Sequence, residues 1–359
     1  MRRDEKLPDL RIGLIGYGAA GAFFHAPLIA ATPGLQLAAI VTADPVRSRS
    51  ASAAHPQARV LAASDALFAE ADHLDLVVIA SPNRTHAPLA ERALALELPV
   101  VIDKPIAATA AAAVRLVEAA RTADLMLTVF HNRRWDGDFL TVQRLVREQR
   151  LGTVRRFESR FERWRPVPKP GWRQDADPEA AGGVLYDLGS HLIDQALLLF
   201  GRVTHVYAEL DCRGPAVTVE DDAFVALTHA SGIRSHLWMS SVAPHGGPRF
   251  RVLGSRAAFT KHGLDVQESA LRSGILPDSE DWGEESRAHW GSLGAGDELE
   301  TVRTERGAYP AFYEGVVRSL REGEPPPVDP ADAVATVRII EAARRSAAEY
   351  RVVTVEPQH

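Results

Sequence analysis

The sequence holds a single cysteine, Cys212, among 359 residues. An internal disulfide is therefore excluded, and so is a metal site built from several thiolates. A reducing compartment fits this composition. Long apolar runs are missing as well: no stretch approaches the ~18 uncharged apolar residues of a membrane span. The charged start, Met1-Arg2-Arg3-Asp4-Glu5-Lys6, and the short run 10–15 do not make a secretory signal. A cytoplasmic protein with no membrane partner is expected. An excess of basic charge is absent too. Lys plus Arg is 41 against 47 Asp plus Glu, a net charge of −6, which argues against a nucleic-acid partner. Apolar residues, at 46%, suffice for packed cores, so an acidic disordered chain is excluded. No internal repeat or low-complexity linker is present. At roughly 100–200 residues per domain, the length suggests two domains.

The first 130 residues alternate in type. Short apolar runs lie at 10–15, 35–41, 74–80, 99–102 and 125–130. Helical patterns such as 89–96 and 110–123 separate them. Continuous apolar strands between helices predict βαβ units and a parallel sheet covered on both faces. Residues 1–130 are expected to form a doubly wound α/β domain. Beyond Asn132 the character changes. Residues 136–148 read as an amphipathic helix. The segments 154–164, 203–211, 223–229, 233–241 and 250–253 mix β-branched, aromatic and charged residues. They predict a largely antiparallel sheet with one solvated face. A helix is expected over 185–200, closed by Gly201. Another is expected from Asp329-Pro330 to about Ala348, opened by an N-cap and a first-turn proline. The glycine-rich stretch 282–296 reads as a loop.

Gly16-Tyr17-Gly18-Ala19-Ala20-Gly21 directly follows the first strand. In that place each glycine has a task. The first permits the tight turn, the second lets backbone approach a pyrophosphate, and the third lets helix pack on strand. The phosphates would sit on the positive end of the helix dipole. A turn without a ligand is the structural alternative. The end of the second strand chooses between the two nicotinamide dinucleotides, because a carboxylate there binds the ribose hydroxyl and repels a 2′-phosphate. Neutral Thr42 falls at that position, with Arg47 and Arg49 just beyond. This favours NADP. A register two residues later places Asp44 there and favours NAD.

Two polar sites are expected to converge. Lys104, in Asp103-Lys104-Pro105, follows the buried run 99–102 and lies at a strand's carboxyl end, where open α/β sheets bind ligands. Its ammonium could polarise a substrate hydroxyl and stabilise an alkoxide. A surface lysine is the alternative. Asp187, His191 and Asp194 stand at i, i+4 and i+7 of one predicted helix face. His191 has the titration range of a general base, and Asp187 could orient it or bind a neighbouring hydroxyl. A polar network that seats the helix, or a metal site, are the alternatives. No further ligand set stands at telling spacing, so no metal is expected.

With these motifs in this order, nearly the whole chain resembles the Gfo/Idh/MocA family of oxidoreductases. The motifs are Gly16–Gly21, Ser81-Pro82-Asn83-Arg84-Thr85-His86, Asp103-Lys104-Pro105 and Gly182-Gly183-Val184-Leu185-Tyr186-Asp187-Leu188-Gly189-Ser190-His191. Phe24-His25-Ala26-Pro27, His131-Asn132-Arg133-Arg134-Trp135 and Pro170-Gly171-Trp172-Arg173 are similar to a branch that holds NADP-dependent inositol dehydrogenation.

The resemblance implies a Rossmann domain followed, over 131–359, by an α/β domain with a large open sheet that pairs subunits into dimers or tetramers. It implies that Lys104, Asp187 and His191 are catalytic, with His191 the acid/base and the other two holding the reacting hydroxyl. Asp103 stands where the family usually has Glu. With Ala19, Ala20, Thr42 and Arg47, the residues Ser81, Pro82, Asn83, His86 and Asp103 would contact the cofactor. Asn132, Arg133, Trp135, Trp172, Arg173 and Tyr186 would face a polyol or sugar. For the tryptophans and arginines of that set, interdomain packing and ion pairing are the alternative. Asn83 could be a turn residue, and His25 reads as a helix-surface histidine. A ligand sensor, a nicotinamide-dependent glycosidase and a metal-dependent hydrolase are the competing functions.

Overall fold

The computed structural model describes residues 7–167, 171–215 and 217–356, so Pro170 lies outside the described residues. The first sheet has strands β1 (Leu10–Ile15), β2 (Leu35–Val41), β3 (Arg59–Leu61), β4 (Leu76–Ile79), β5 (Val100–Asp103) and β6 (Leu127–Phe130). They run parallel in the order β3-β2-β1-β4-β5-β6. Every residue of β4 and β6 is buried, as a sheet covered on both faces requires. The order reverses between β1 and β4, which is where ligands of such sheets bind.

The glycine turn lies at that switch point. Gly16 has φ +102°, and a Cβ there would stand 2.5 Å from the Ala80 carbonyl oxygen. A Cβ on Gly21 would stand 2.0 Å from the Gly16 oxygen. Only hydrogen fits at either place. The helical turns that follow run from Ala19 to Ala31.

The second sheet has nine strands: β7 (Val154–Glu162), β8 (Val203–Asp211), β9 (Asp222–His229), β10 (Arg234–Ser240), β11 (Phe250–Gly254), β12 (Ala258–Lys261), β13 (Gly291–Ala295), β14 (Glu298–Val302) and β15 (Val353–Thr354). Their order is β14-β13-β12-β11-β7-β10-β9-β8-β15, antiparallel except for the pair β7 and β10. One face carries the large core of Phe139, Phe157, Phe161, Leu192, Phe250 and their neighbours. The other face has no layer over it among the described residues. There the indole of Trp238 packs against Phe224 at 5.1 Å and under the Arg160 guanidinium at 3.9 Å.

Three features depart from the sequence expectations. The stretch 282–296 is not all loop, because Gly291–Ala295 is a sheet strand. Its glycines hide it in the sequence and are needed in the sheet: a Cβ on Gly291 would stand 2.5 Å from the Phe259 ring. The helix expected over 185–200 opens with a wide π turn, Leu185–Gly189, before Ser190–Phe200 continues it. The end of the chain also crosses back to the first sheet. Tyr309, Phe312, Tyr313 and Val316 join the core behind β1 and β4, and Ala333, Val334 and Val337 join the core on the opposite side.

Candidate active site

A cavity of about 820 Å³ opens between the two sheets. Lys104 enters it from the carboxyl end of β5. Its ammonium donates to the Asp187 carbonyl at 2.6 Å and to Asp187 Oδ1 at 3.1 Å. Arg173 Nε donates to the same Oδ1 at 3.4 Å. Burial alone would raise the Asp187 carboxyl, but Lys104 and Arg173 outweigh it and hold the group well below the ordinary carboxylate range. It is therefore ionised at neutral pH.

His191 lies on the same wall, one helical turn beyond Asp187. Burial pushes its pKa well below 6.5, and Lys104, Arg133 and His131 push it the same way. The imidazole is therefore neutral at pH 7 and able to accept a proton. Its Nδ1 is buried and unpartnered among the described residues. No hydrogen bond joins it to Asp187, so Asp187 does not orient it; the carboxylate belongs to Lys104 and Arg173 instead.

Asp194, the third residue of the expected face, points elsewhere. It takes Arg134 Nε at 2.9 Å and Nη2 at 2.6 Å. The metal alternative on that face loses its third ligand to this ion pair.

The remaining expected site residues divide. Ala19, Ala20, Arg47, Asp103, Asn132, Arg133, Trp172 and Arg173 line the cavity. Trp172 and Arg173 stack at 4.3 Å. Arg133 is less free than expected: it is buried, with Asp136 at 3.3 Å and Glu268 bonded to its Nη2. Ser81, Pro82, Asn83 and His86 do not reach the cavity wall. Asn83 instead donates to the Ala181 carbonyl at 3.1 Å, and Ser81 bonds Thr85 at 2.6 Å. The fully buried His86 stands 2.8 Å from the Pro105 carbonyl and 2.9 Å from that of Ser81. It links the loops after β4 and β5, so its part is to shape them.

Two further residues turn away from the cavity. Tyr186 donates to the Ala108 carbonyl at 2.8 Å, and Trp135 packs on Phe312 at 5.8 Å. Both fill the seam between domains with an aromatic body, and the Tyr186 hydroxyl has its hydrogen-bond partner there. The His25 expectation is overturned too. That side chain is fully buried, with Nδ1 2.7 Å from the Tyr313 hydroxyl and Nε2 3.8 Å from Asp103.

Thr42 directly follows β2 but lies off the cavity. Asp44 is the N-cap of the helix Pro45–Ala54, and its Oδ1 accepts from Val46 and Arg47 backbone at 2.8 and 3.0 Å. Those bonds lower its pKa. The carboxylate is thus engaged in capping, while Arg47 reaches the glycine turn. Sequence reasoning missed Arg163, Arg165, Glu268 and Arg272, which also line the cavity. Only their charge could have hinted at them, since they come from segments a hundred residues apart.

Residues 10–131 match the family described as "Oxidoreductase family, NAD-binding Rossmann fold", and residues 143–355 match "Oxidoreductase family, C-terminal alpha/beta domain". The chain belongs to the Gfo/Idh/MocA family of oxidoreductases. It is an NAD(P)-dependent dehydrogenase acting on CH–OH groups. Among Gfo/Idh/MocA relatives, the uncharacterized oxidoreductase YdgJ of Escherichia coli K12 is 39% identical over 94% of this chain and 96% of its own. The scyllo-inositol 2-dehydrogenase (NADP(+)) IolW of Bacillus subtilis 168 is 32% identical over 98% of this chain and 97% of its own. The solved structure of yvaA from Bacillus subtilis superposes with a TM-score of 0.92 at 32% identity, covering 98% of this chain and 100% of that one.

The site fits the nicotinamide dinucleotide of a Gfo/Idh/MocA enzyme. A Cβ on Gly18 would meet only the Arg47 guanidinium, at 3.9 Å, so the turn presents bare backbone to open space. Ala19 and Ala20 begin the helix at the edge of that space. Backbone N–H groups at a helix start suit a pyrophosphate.

Proposed function

We propose that the chain reversibly oxidises a secondary alcohol of a polyol, inositol or sugar, with NADP favoured over NAD. The observation that carries this reading is the Lys104–Asp187 pair beside a neutral His191, all on one cavity wall. The cofactor, when bound, supplies the hydride acceptor. The chain's own residues handle the proton and the charge. His191 takes the hydroxyl proton as general base. The Lys104 ammonium, held at fixed distance by Asp187, stabilises the oxygen as negative charge develops. In the reverse direction His191 returns the proton.

The preference for NADP is supported by Arg47 at the glycine turn, by Asp44 being engaged as a cap, and by the printed name of the relative IolW. That name also supports an inositol-like substrate. The reading includes a cytoplasmic enzyme that pairs into dimers or tetramers through the uncovered face around Phe224 and Trp238. No helix among the described residues is long and apolar enough to cross a membrane.

The test is absorbance of reduced nicotinamide with purified protein. NADP⁺ and NAD⁺ are offered separately against inositols, aldoses and alditols, with the reverse reaction alongside. A rise with one polyol and NADP⁺ is expected. Tightly bound cofactor with no net change in absorbance across the panel would favour a sensor or a nicotinamide-dependent glycosidase instead.

A further inference from the structure

The substrate wall of the cavity carries more positive charge than its acids balance. Phe161, Arg163 and Arg165 alternate along the end of β7 and its extension, so all three point the same way and line the cavity. Backbone fixes them there. Arg163 and Arg165 donate their N–H groups to the Ser240 and Ser241 carbonyls at 2.8 and 2.7 Å. The guanidiniums of Arg133 and Arg163 both lie over the Phe161 ring, at 4.6 and 4.5 Å.

The carboxylates nearby are already shared. Glu268 serves Arg133, Arg163 at 3.7 Å and Arg272 at 3.0 Å. Asp187 serves Lys104 and Arg173. Arg165 has no carboxylate within ion-pair distance among the described residues. Of the other acids on the wall, Glu220 and Asp221 accept from backbone N–H groups of Leu185, Arg213 and Gly214, and Asp103 accepts from the Lys104 backbone and faces His25, rather than these cations.

Arg134 shows what a compensated guanidinium looks like in this fold. Burial works against its charge, but Asp194 and Asp332 outweigh it and raise its pKa above the ordinary value. Arg163 shows the opposite. Burial lowers it to about 10, and Arg133 and Arg165 add to the fall despite Glu268. It stays protonated at neutral pH, in a half-buried site short of negative charge.

We infer that Arg163 and Arg165 form an anion subsite of the substrate pocket, so that the polyol or sugar carries a carboxylate or a phosphate ester. The guanidinium fork matches both groups in a two-bond geometry. The inference rests on the dehydrogenase reading for its choice of polyols, but its test does not depend on turnover.

Calorimetry with NADPH-saturated protein compares two pairs of alcohols that reduced cofactor cannot convert. D-Glucitol against D-gluconate probes a carboxylate. myo-Inositol against myo-inositol 1-phosphate probes a phosphate ester. One anion is expected to bind at least about tenfold tighter than its neutral mate, the order of a charge-assisted bond. In Arg163→Gln/Arg165→Gln that preference collapses, and Arg163→Lys recovers part of it.

Neutral mates that bind as tightly as the anions overturn the inference, as does a preference that survives the double variant or an absence of binding by either anion. A preference seen only without NADPH assigns the arginines to the cofactor's phosphates and also overturns it. The same pairs with NADP⁺ separate the two readings. Anion preference without hydride transfer removes the dehydrogenase reading alone, whereas turnover of a neutral polyol without anion preference removes the subsite alone.

Discussion

Nδ1 of His25 lies 2.7 Å from the hydroxyl of Tyr313, and both side chains are wholly buried. The bond joins the helix after the glycine turn to the helix Pro310–Glu322, so the end of the chain braces the cofactor turn at its start. The Phe130 ring closes over the imidazole at 4.3 Å. On its other side, His25 faces the carboxylate whose Oδ1 accepts the Lys104 N–H at 3.0 Å. Tyr313→Phe removes the hydroxyl and leaves a buried imidazole nitrogen unpaired. That loss costs on the order of 1–3 kcal/mol. A lower melting temperature is expected, with turnover kept in the folded variant. An unchanged melting curve would show that the bond contributes nothing.

Activity against pH reports on His191. Its pKa is pushed well below 6.5 by burial first, then by Lys104 and Arg133. A general base must be unprotonated, so kcat/KM for alcohol oxidation should stay level from neutral pH down through 6.5 and fall only below it. Lys104→Met removes one of the charges that depress His191. In that variant turnover is expected to drop by roughly a hundredfold or more, the scale of a lost transition-state donor, and the acid limb to move up in pH. An inflection at 6.5 in the parent enzyme, or a limb that does not move, contradicts the assignment.

Much of this frame is readable from residue order. Five of the six parallel strands appear as apolar runs, and the glycine spacing marks the turn, because both patterns are local. Arg59–Leu61 does not, since two apolar residues after an exposed arginine make no run. β13 is disguised by the glycines that let Phe259 approach. Site membership is harder still, because it depends on where a side chain turns. Trp135 and Tyr186 sit in the right segments yet face the seam, while Arg163 and Glu268 meet across about a hundred residues of chain. The π turn at Leu185–Gly189 interrupts the simple i, i+4, i+7 helix, and Asp194 meets Arg134 instead of the cavity.

Cofactor choice should follow Arg47. Its guanidinium lies beside the glycine turn, and Asp44, its one ion-pair partner among the described residues at 3.8 Å, is engaged as a helix cap. Arg47→Ala is expected to weaken NADPH binding by roughly tenfold or more, the scale of a lost hydrogen bond to a charged group, with little change for NADH. Fluorescence titration of each reduced cofactor measures both. Equal losses for the two would place Arg47 on a phosphate they share.

Gly21→Ala tests the turn itself. The added Cβ would stand 2.0 Å from the Gly16 carbonyl oxygen, a backbone atom that cannot swing aside. The turn must open, at ~1–3 kcal/mol or more for overpacking of this kind. Reduced melting temperature and loss of NADPH binding are expected together. Gly18→Ala makes the sharper comparison. Its Cβ meets no protein atom closer than 3.9 Å, so stability should hold while dinucleotide affinity falls. If both variants lose stability and keep affinity, the turn does not hold the pyrophosphate.

Asp194→Asn asks whether that carboxylate is structural or chemical. Both its oxygens are buried against Arg134, which also reaches Asp332 at 2.9 Å. Removing the charge leaves a buried guanidinium with one half-exposed partner, a loss on the order of 3–5 kcal/mol. Burial would raise the Asp194 pKa, but His131 and Arg134 outweigh it and hold it below 3.8. The folded state therefore binds fewer protons than the unfolded one as pH falls through that region. The contribution is complete above 3.8 and disappears only as pH falls through the folded value. A large drop in melting temperature at neutral pH is expected, with turnover retained at low temperature and untouched by EDTA. If the variant melts normally but loses turnover, and EDTA silences the parent enzyme, Asp194 is a ligand and the ion pair is incidental.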